Sequence, residues 1–190
     1  MARLPADETA LACALDYAVA SAAEIGTADL GFPSPCPGWT VAEALAHATG
    51  SLRCLATSLT VGAVPAVSVP AGPVTARTLR RDLGRAAGSL IAAARTARGE
   101  RQVAIDGLPL GCHQLIVVGA IEAAVHGWDV ARGAGCARPI PGELATWLLA
   151  ELPQVIPRGR RRGLFADPVA LAPGRARAPE RLLAALGRNP

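Results

Sequence analysis

The run LIVVGAIEAAVHGWD at 115–129 constrains the fold more than any other stretch. From Leu115 to Trp128 its only ionisable side chains are Glu122 and His126, four positions apart. A helix that is apolar nearly all round is buried on most of its surface, and the four-residue spacing puts the carboxylate and the imidazole on one face of it. Burying either group alone costs on the order of several kcal/mol or forces it neutral. The interior must therefore satisfy both, through a metal ion, a salt bridge between the two, or a bound ligand.

Four helical patterns surround this constraint. Leu11, Leu15, Tyr17, Ala18, Ala22 and Ile25 predict a first helix over about 7–25, with Asp7, Glu8 and Thr9 supplying capping and dipole chemistry at its start. The segment GTADLGFPSPCPG at 26–38 holds three prolines and three glycines and reads as a loop. Thr40 with Glu43 forms a capping box for a second helix over about 41–59, through Leu45, His47, Leu52 and Leu55.

The next connection, 61–74, carries three prolines and is longer than neighbouring antiparallel helices need, which predicts a crossover. A third helix over about 75–97 sets Leu79, Leu83, Ala86, Leu90 and Ile91 against Arg77, Arg80, Arg81 and Arg85. Residues 98–110, with a Val103/Ile105 alternation and an Asp-Gly turn, read as an extended loop. The fourth helix, 113–134, stops at Gly133 and Gly135.

The predicted fold is an all-α four-helix bundle in up-down-down-up order, because the crossover makes the second and third helices parallel. The bundle occupies about 7–134 of a single 1–190 domain, and 135–190 form a small C-terminal extension with helices at 142–152 and 179–186. From 153 to the last helix the chain reads as looser.

Composition excludes several classes of function. All 19 basic residues are Arg, a coding bias of high-GC bacteria, and the formal charge of +4 is modest. The cluster Arg158, Arg160, Arg161 and Arg162 sits in a Gly/Pro-flanked segment without interleaved aromatics, so no nucleic-acid partner is expected. Hydrophobic content of 51% argues against disorder, but no run has the roughly 18 uncharged apolar residues of a membrane span. The start lacks a basic region followed by an apolar one, which predicts a cytoplasmic protein. Five cysteines, Cys13, Cys36, Cys54, Cys112 and Cys136, show no paired spacing, and Cys13 and Cys54 read as small core hydrophobes. Apolar bundle faces are compatible with a homodimer.

His47, among small and apolar residues of the second helix, adds a third donor. Alone it reads as a core histidine. Two histidines and one carboxylate, however, make the set of a catalytic metal site with an open position, as in zinc hydrolases or facial-triad iron sites. Asp129, three residues after His126, is placed either to orient a ligating imidazole or to hold the helix end through Arg132. Trp39 and Trp128 flank the two ligand-bearing blocks. Cys36 lies between prolines with no activating His or Lys beside it, so a loop-fixing role is favoured over a reactive thiol or an extra ligand. His113, nine residues before Glu122, falls on the opposite face and reads as structural.

The block SPCPGWTV at 34–41 with LAH at 45–47, HGWDVAR at 126–132 and the terminal LGRNP resemble the actinobacterial DinB-like metal-binding proteins related to mycothiol-dependent maleylpyruvate isomerase, in their short form. The resemblance implies a DinB-like four-helix bundle and a divalent metal, usually zinc, held by His47, Glu122 and His126. It implies an enzyme of transferase or isomerase type, in which the metal binds and activates a small thiol, mycothiol, toward a small-molecule electrophile. The isomerase's additional C-terminal domain is lacking here, so its particular substrate does not carry over. Two other functions use the same triad: a non-catalytic metal-binding module, and a metal-dependent hydrolase or cyclase of a biosynthetic pathway.

Overall fold

Local capping chemistry sets the helix boundaries. In the computed structural model, which describes residues 4–64, 74–97, 102–105, 108–156, 166–172, 174 and 176–190, the Thr40 hydroxyl accepts the Glu43 N–H at 3.3 Å and the Glu43 carboxylate accepts the Thr40 N–H at 2.8 Å. That reciprocal pair opens α2, Val41–Val61, which ends at Gly62 with φ +80°. A second such pair, Thr75 with Thr78, opens α3, Ala76–Thr96. The first helix, α1, is Leu4–Ala23, and the apolar run becomes α4, Cys112–Gly133. Beyond α4, Gly135 at φ +77° lets its own N–H and that of Cys136 bond back to Arg132 and Ala131 carbonyls, closing the helix.

Side-chain contacts establish the helix directions. Asp7 meets His113 at 2.8 Å, and Gly127 packs on Ala18 and Tyr17, so α1 and α4 run parallel. Glu8 meets Arg95 at 2.7 Å, and the Ala23 carbonyl accepts from Arg80 at 2.8 Å, so α3 opposes α1. Gly119 faces Leu55 while Glu122 and His126 face His47, so α2 opposes α4. The order is therefore up-down-down-up. The core lies between the four helices, with Leu11, Leu52, Leu83, Leu90, Leu115 and Ile121 among its fully buried side chains.

α4 approaches α1 closely because glycines line the seam. A Cβ at Gly127 would lie 3.0 Å from the Ala18 backbone Cα and 3.1 Å from the Tyr17 ring. Gly127→Ala gains about 1 kcal/mol of helix propensity, but the overpacking against an unyielding backbone costs about 1–3 kcal/mol. Thermal unfolding of Gly127→Ala is expected to show a net loss of up to about 2 kcal/mol.

Three expectations need correction. The stretch read as an extended loop forms an antiparallel hairpin of β1, Gln102–Ile105, and β2, Leu108–Gly111, with Val103 opposite Leu110 and both buried. Pro109 is tolerated because a two-stranded ribbon has only edges. The fifth helix, α5, Gly142–Val155, continues through Pro153. The proline removes one helical N–H near the end, and burial of Val155 and Ile156 holds the final turn. Within the loop after α1, Ala28–Gly31 form a 3₁₀ turn.

The remaining helix is α6, Ala178–Ala185, which packs on α5, and α5 reaches back to α4 and α1. His113 bridges the buried carboxylates of Asp7 and Glu151 at 2.8 and 3.1 Å, tying α1, α4 and α5 together, and so is structural as read from the sequence. Asp7 is thus part of this bridge in addition to the start of α1. Cys13 and Cys54 are half-buried, and none of the five cysteines is joined in a disulfide. Most of the predicted crossover (65–73), the Asp-Gly turn (106–107) and the arginine cluster (158–162) lie outside the described residues. Among the described residues no helix is long and apolar enough to cross a membrane.

Candidate metal centre

The antiparallel pairing of α2 with α4 brings a residue early in one helix against residues late in the other. His47 Nε2 lies 3.4 Å from Glu122 Oε2, and His126 Nε2 lies 3.6 Å from the same oxygen. One donor atom from each of the three residues falls within 4.8 Å of the others. The cluster is graded in depth: the His126 side chain is 8% exposed, Glu122 16% and His47 43%, so the site opens on the His47 side.

Glu122 Oε2 is buried and accepts no hydrogen bond, although both imidazoles approach it. Burial pushes the Glu122 carboxyl up, but the flanking His47 and His126 outweigh it and hold the group below the ordinary carboxylate range. An orphan carboxylate oxygen beside two imidazole nitrogens is an N,N,O donor set, and it suits a borderline divalent ion such as Zn2+.

The surroundings restrain these donors. His126 Nδ1 is 3.0 Å from Asp129 Oδ2. Asp129, fully buried, receives Arg188 at both oxygens, Nε to Oδ1 at 3.2 Å and the terminal nitrogen to Oδ2 at 2.8 Å. Burial raises the Asp129 carboxyl, yet His126 and Arg188 hold it below its ordinary value. The partner of Asp129 is therefore Arg188, not Arg132, which sits exposed at the end of α4. The Ser51 hydroxyl lies 3.3 Å from His47 Nε2.

The loop before α2 supplies a wall. Ser34 N–H bonds to the Trp39 carbonyl at 2.8 Å and Val41 N–H to the Phe32 carbonyl at 2.9 Å, and Gly38 at φ +81° turns the chain between them. This places the Trp39 ring 4.6 Å from the His47 ring and stacked at 5.8 Å on His126. Trp128, two residues from His126, faces elsewhere, lining a cavity of about 190 Å³ with Arg132 and Leu183. Cys36 belongs to the loop turn, its carbonyl accepting the Trp39 N–H at 3.1 Å, and burial pushes its thiol up despite Arg188 nearby. Sequence reasoning missed Ser51 and the role of Arg188. Ser51 sits four residues after His47, a spacing that would have found it, whereas Arg188 is 59 positions from Asp129 with no local signal.

Fold and site together define an all-α bundle of the DinB-like class with a histidine–glutamate–histidine cluster between two antiparallel helices. The chain belongs to the family of the mycothiol maleylpyruvate isomerase N-terminal domain, whose model matches residues 11–131 and so spans all three clustered residues. It is also similar to the crystal structure of a histidine-to-alanine variant of the mycothiol-dependent maleylpyruvate isomerase. The TM-score is 0.59 at 18% identity, over 78% of this chain and 69% of that one. No curated protein matches the chain.

Proposed function

We propose that this protein is a divalent-metal-dependent enzyme that activates a low-molecular-weight thiol, of the mycothiol kind, for transfer to, or isomerisation of, a small electrophilic substrate. The observation that carries the reading is the convergence of His47, Glu122 and His126 on one point, with Glu122 Oε2 buried and without a hydrogen-bond donor. Membership of the isomerase family supports the thiol. His47, Glu122 and His126 would hold the ion, zinc being the expected one, as three protein ligands. When bound, such an ion lowers the pKa of a coordinated thiol, so that the nucleophilic thiolate is available near neutral pH.

The chain's own residues account for the rest of the chemistry. Glu122 supplies one negative charge beside two imidazoles, which are neutral when they ligate an ion. Asp129 accepts from His126 Nδ1, which leaves Nε2, turned toward Glu122, as the nitrogen that would ligate the ion. Trp39 covers one side of both imidazoles and keeps water from that side, while the exposed edge of His47 marks where thiol and substrate approach. Residues 1–190 act in this reading as one domain in the cytoplasm, with a homodimer compatible.

Elemental analysis followed by cobalt substitution and titration with a small thiol tests the proposal. About one metal per chain is expected, with a sulfur-to-cobalt charge-transfer band appearing on thiol addition. Purified protein without stoichiometric metal sinks the metal reading. A cobalt spectrum indifferent to thiol sinks the thiol and leaves Lewis-acid hydrolysis or cyclisation, or a non-catalytic metal module.

A further inference from the structure

We propose that Arg188, beyond α6, is a positioning residue of the metal centre: it clamps Asp129, and Asp129 holds His126 in the orientation and tautomer that present Nε2 to the ion. The inference rests on the reading of His47, Glu122 and His126 as ligands. Its residue lies outside the stretch matched by the family model, 11–131.

The path to Arg188 is built into the end of α6. Gly187 adopts φ +77°, its N–H bonds to the Ala184 carbonyl at 3.1 Å, and the Arg188 N–H bonds to the Leu183 carbonyl at 2.9 Å. This two-bond cap reverses the chain and turns Arg188 back under the bundle. Any Cβ at Gly187 would lie 2.9 Å from the Ala166 carbonyl carbon and oxygen, so conformation and space both require glycine there.

At the end of that turn the guanidinium is used on every side. Nε and one terminal nitrogen grip the two Asp129 oxygens at 3.2 and 2.8 Å, and the other terminal nitrogen donates to the Leu186 carbonyl at 3.0 Å. The residue is 4% exposed. A guanidinium so buried, with every nitrogen engaged, does not reach solvent to bind a substrate anion, which separates positioning from substrate binding. A carboxylate gripped at both oxygens cannot rotate, so Oδ2 stays 3.0 Å from His126 Nδ1. With an acceptor fixed at Nδ1, that nitrogen is the donor to Asp129, and Nε2 is the ring atom turned toward Glu122 and left to ligate an ion. A bridge that merely fastened α6 to α4 would not need to end on a ligand.

The test compares wild type with Arg188→Lys, which keeps the charge and loses the fork, and with the double variant Asp129→Asn/Arg188→Met, which removes both buried charges. The double variant carries the same measurements should the lysine variant not fold. Zn2+ affinity is read by competition with a chromophoric chelator, and the His126 tautomer by long-range nitrogen–proton NMR of the metal-free protein. Glu151→Gln, on α5 beside His113 and away from the metal centre, controls for a general loss of stability.

Zn2+ binding about 10–100-fold weaker in both variants is expected. Loss of the single Nδ1–H tautomer should accompany it, while Glu151→Gln keeps wild-type affinity at a comparable fall in melting temperature. Variants that melt earlier yet keep the wild-type Kd and tautomer overturn the proposal and leave Arg188 a purely structural tie. Wild type that binds no Zn2+ overturns the ligand assignment itself, a result distinguishable from the first because it precedes any variant.

Discussion

On the proposed ligand assignment, Glu122→Gln is expected to abolish Zn2+ binding while leaving the fold in place. The amide keeps the volume and loses the charged oxygen on which His47 and His126 converge. Loss of that ligand should weaken Zn2+ binding by at least the roughly 100-fold that marks the upper range for orienting residues. The fold should survive, because the amide fills the same volume between α2 and α4 and the interactions lost with the charge are confined to the cluster itself. Calorimetry with and without Zn2+ separates the two effects. At about 100 times Kd the ion should stabilise wild type by about 2.7 kcal/mol, or roughly 5–10 °C for a chain of this size. The Glu122→Gln, His47→Ala and His126→Ala variants should show no such shift, and an equal shift in Glu122→Gln would remove Glu122 from the site. Acidification should also release the ion, since imidazole ligands must be neutral to bind.

Arg188→Met is expected to cost the most stability of any single change described. Arg188 and Asp129 are 4% and 0% exposed, so removing the guanidinium leaves a buried carboxylate with His126 as its one remaining partner among the described residues. That situation costs about 3–5 kcal/mol, and the melting temperature should fall by about 6–20 °C. High salt should rescue little, because screening acts weakly on buried pairs. The dependence on pH has a definite sign. Asp129 is held below its ordinary value in the folded protein, so its contribution is present above the unfolded-state carboxyl range, near about pH 3.9, and disappears as pH falls through the lower folded value. The difference between wild type and Arg188→Met should therefore be full at neutral pH and shrink in strong acid. A constant difference from pH 7 to pH 2 would mean that packing, not charge, explains the loss.

The sequence by itself determined the helices and the three donors. Capping residues are local, so Thr40 and Glu43 announce the start of α2 and Gly135 the end of α4. The four-residue spacing of Glu122 and His126 puts them on one face before any tertiary contact forms, and the length of the 61–74 connection implied the parallel second and third helices. Sequence reasoning also proposed that Asp129 orients His126, yet it left that residue divided between His126 and Arg132, because both lie three positions away and spacing cannot choose between them. The β1–β2 hairpin escaped it for a similar reason: whether Val103 and Leu110 bury together depends on the surface beneath them.

Only the tertiary structure decided who pairs with the buried charges. Arg188 and Asp129 are 59 positions apart, as Glu151 is 38 from His113, and no periodicity connects such residues. Their pairing follows from how α6 and α5 dock on the bundle, where desolvation makes every unpaired charge expensive and so selects the partner that reaches it. The three residues that cluster were therefore legible along the chain, while the groups that hold them in place came from the packing.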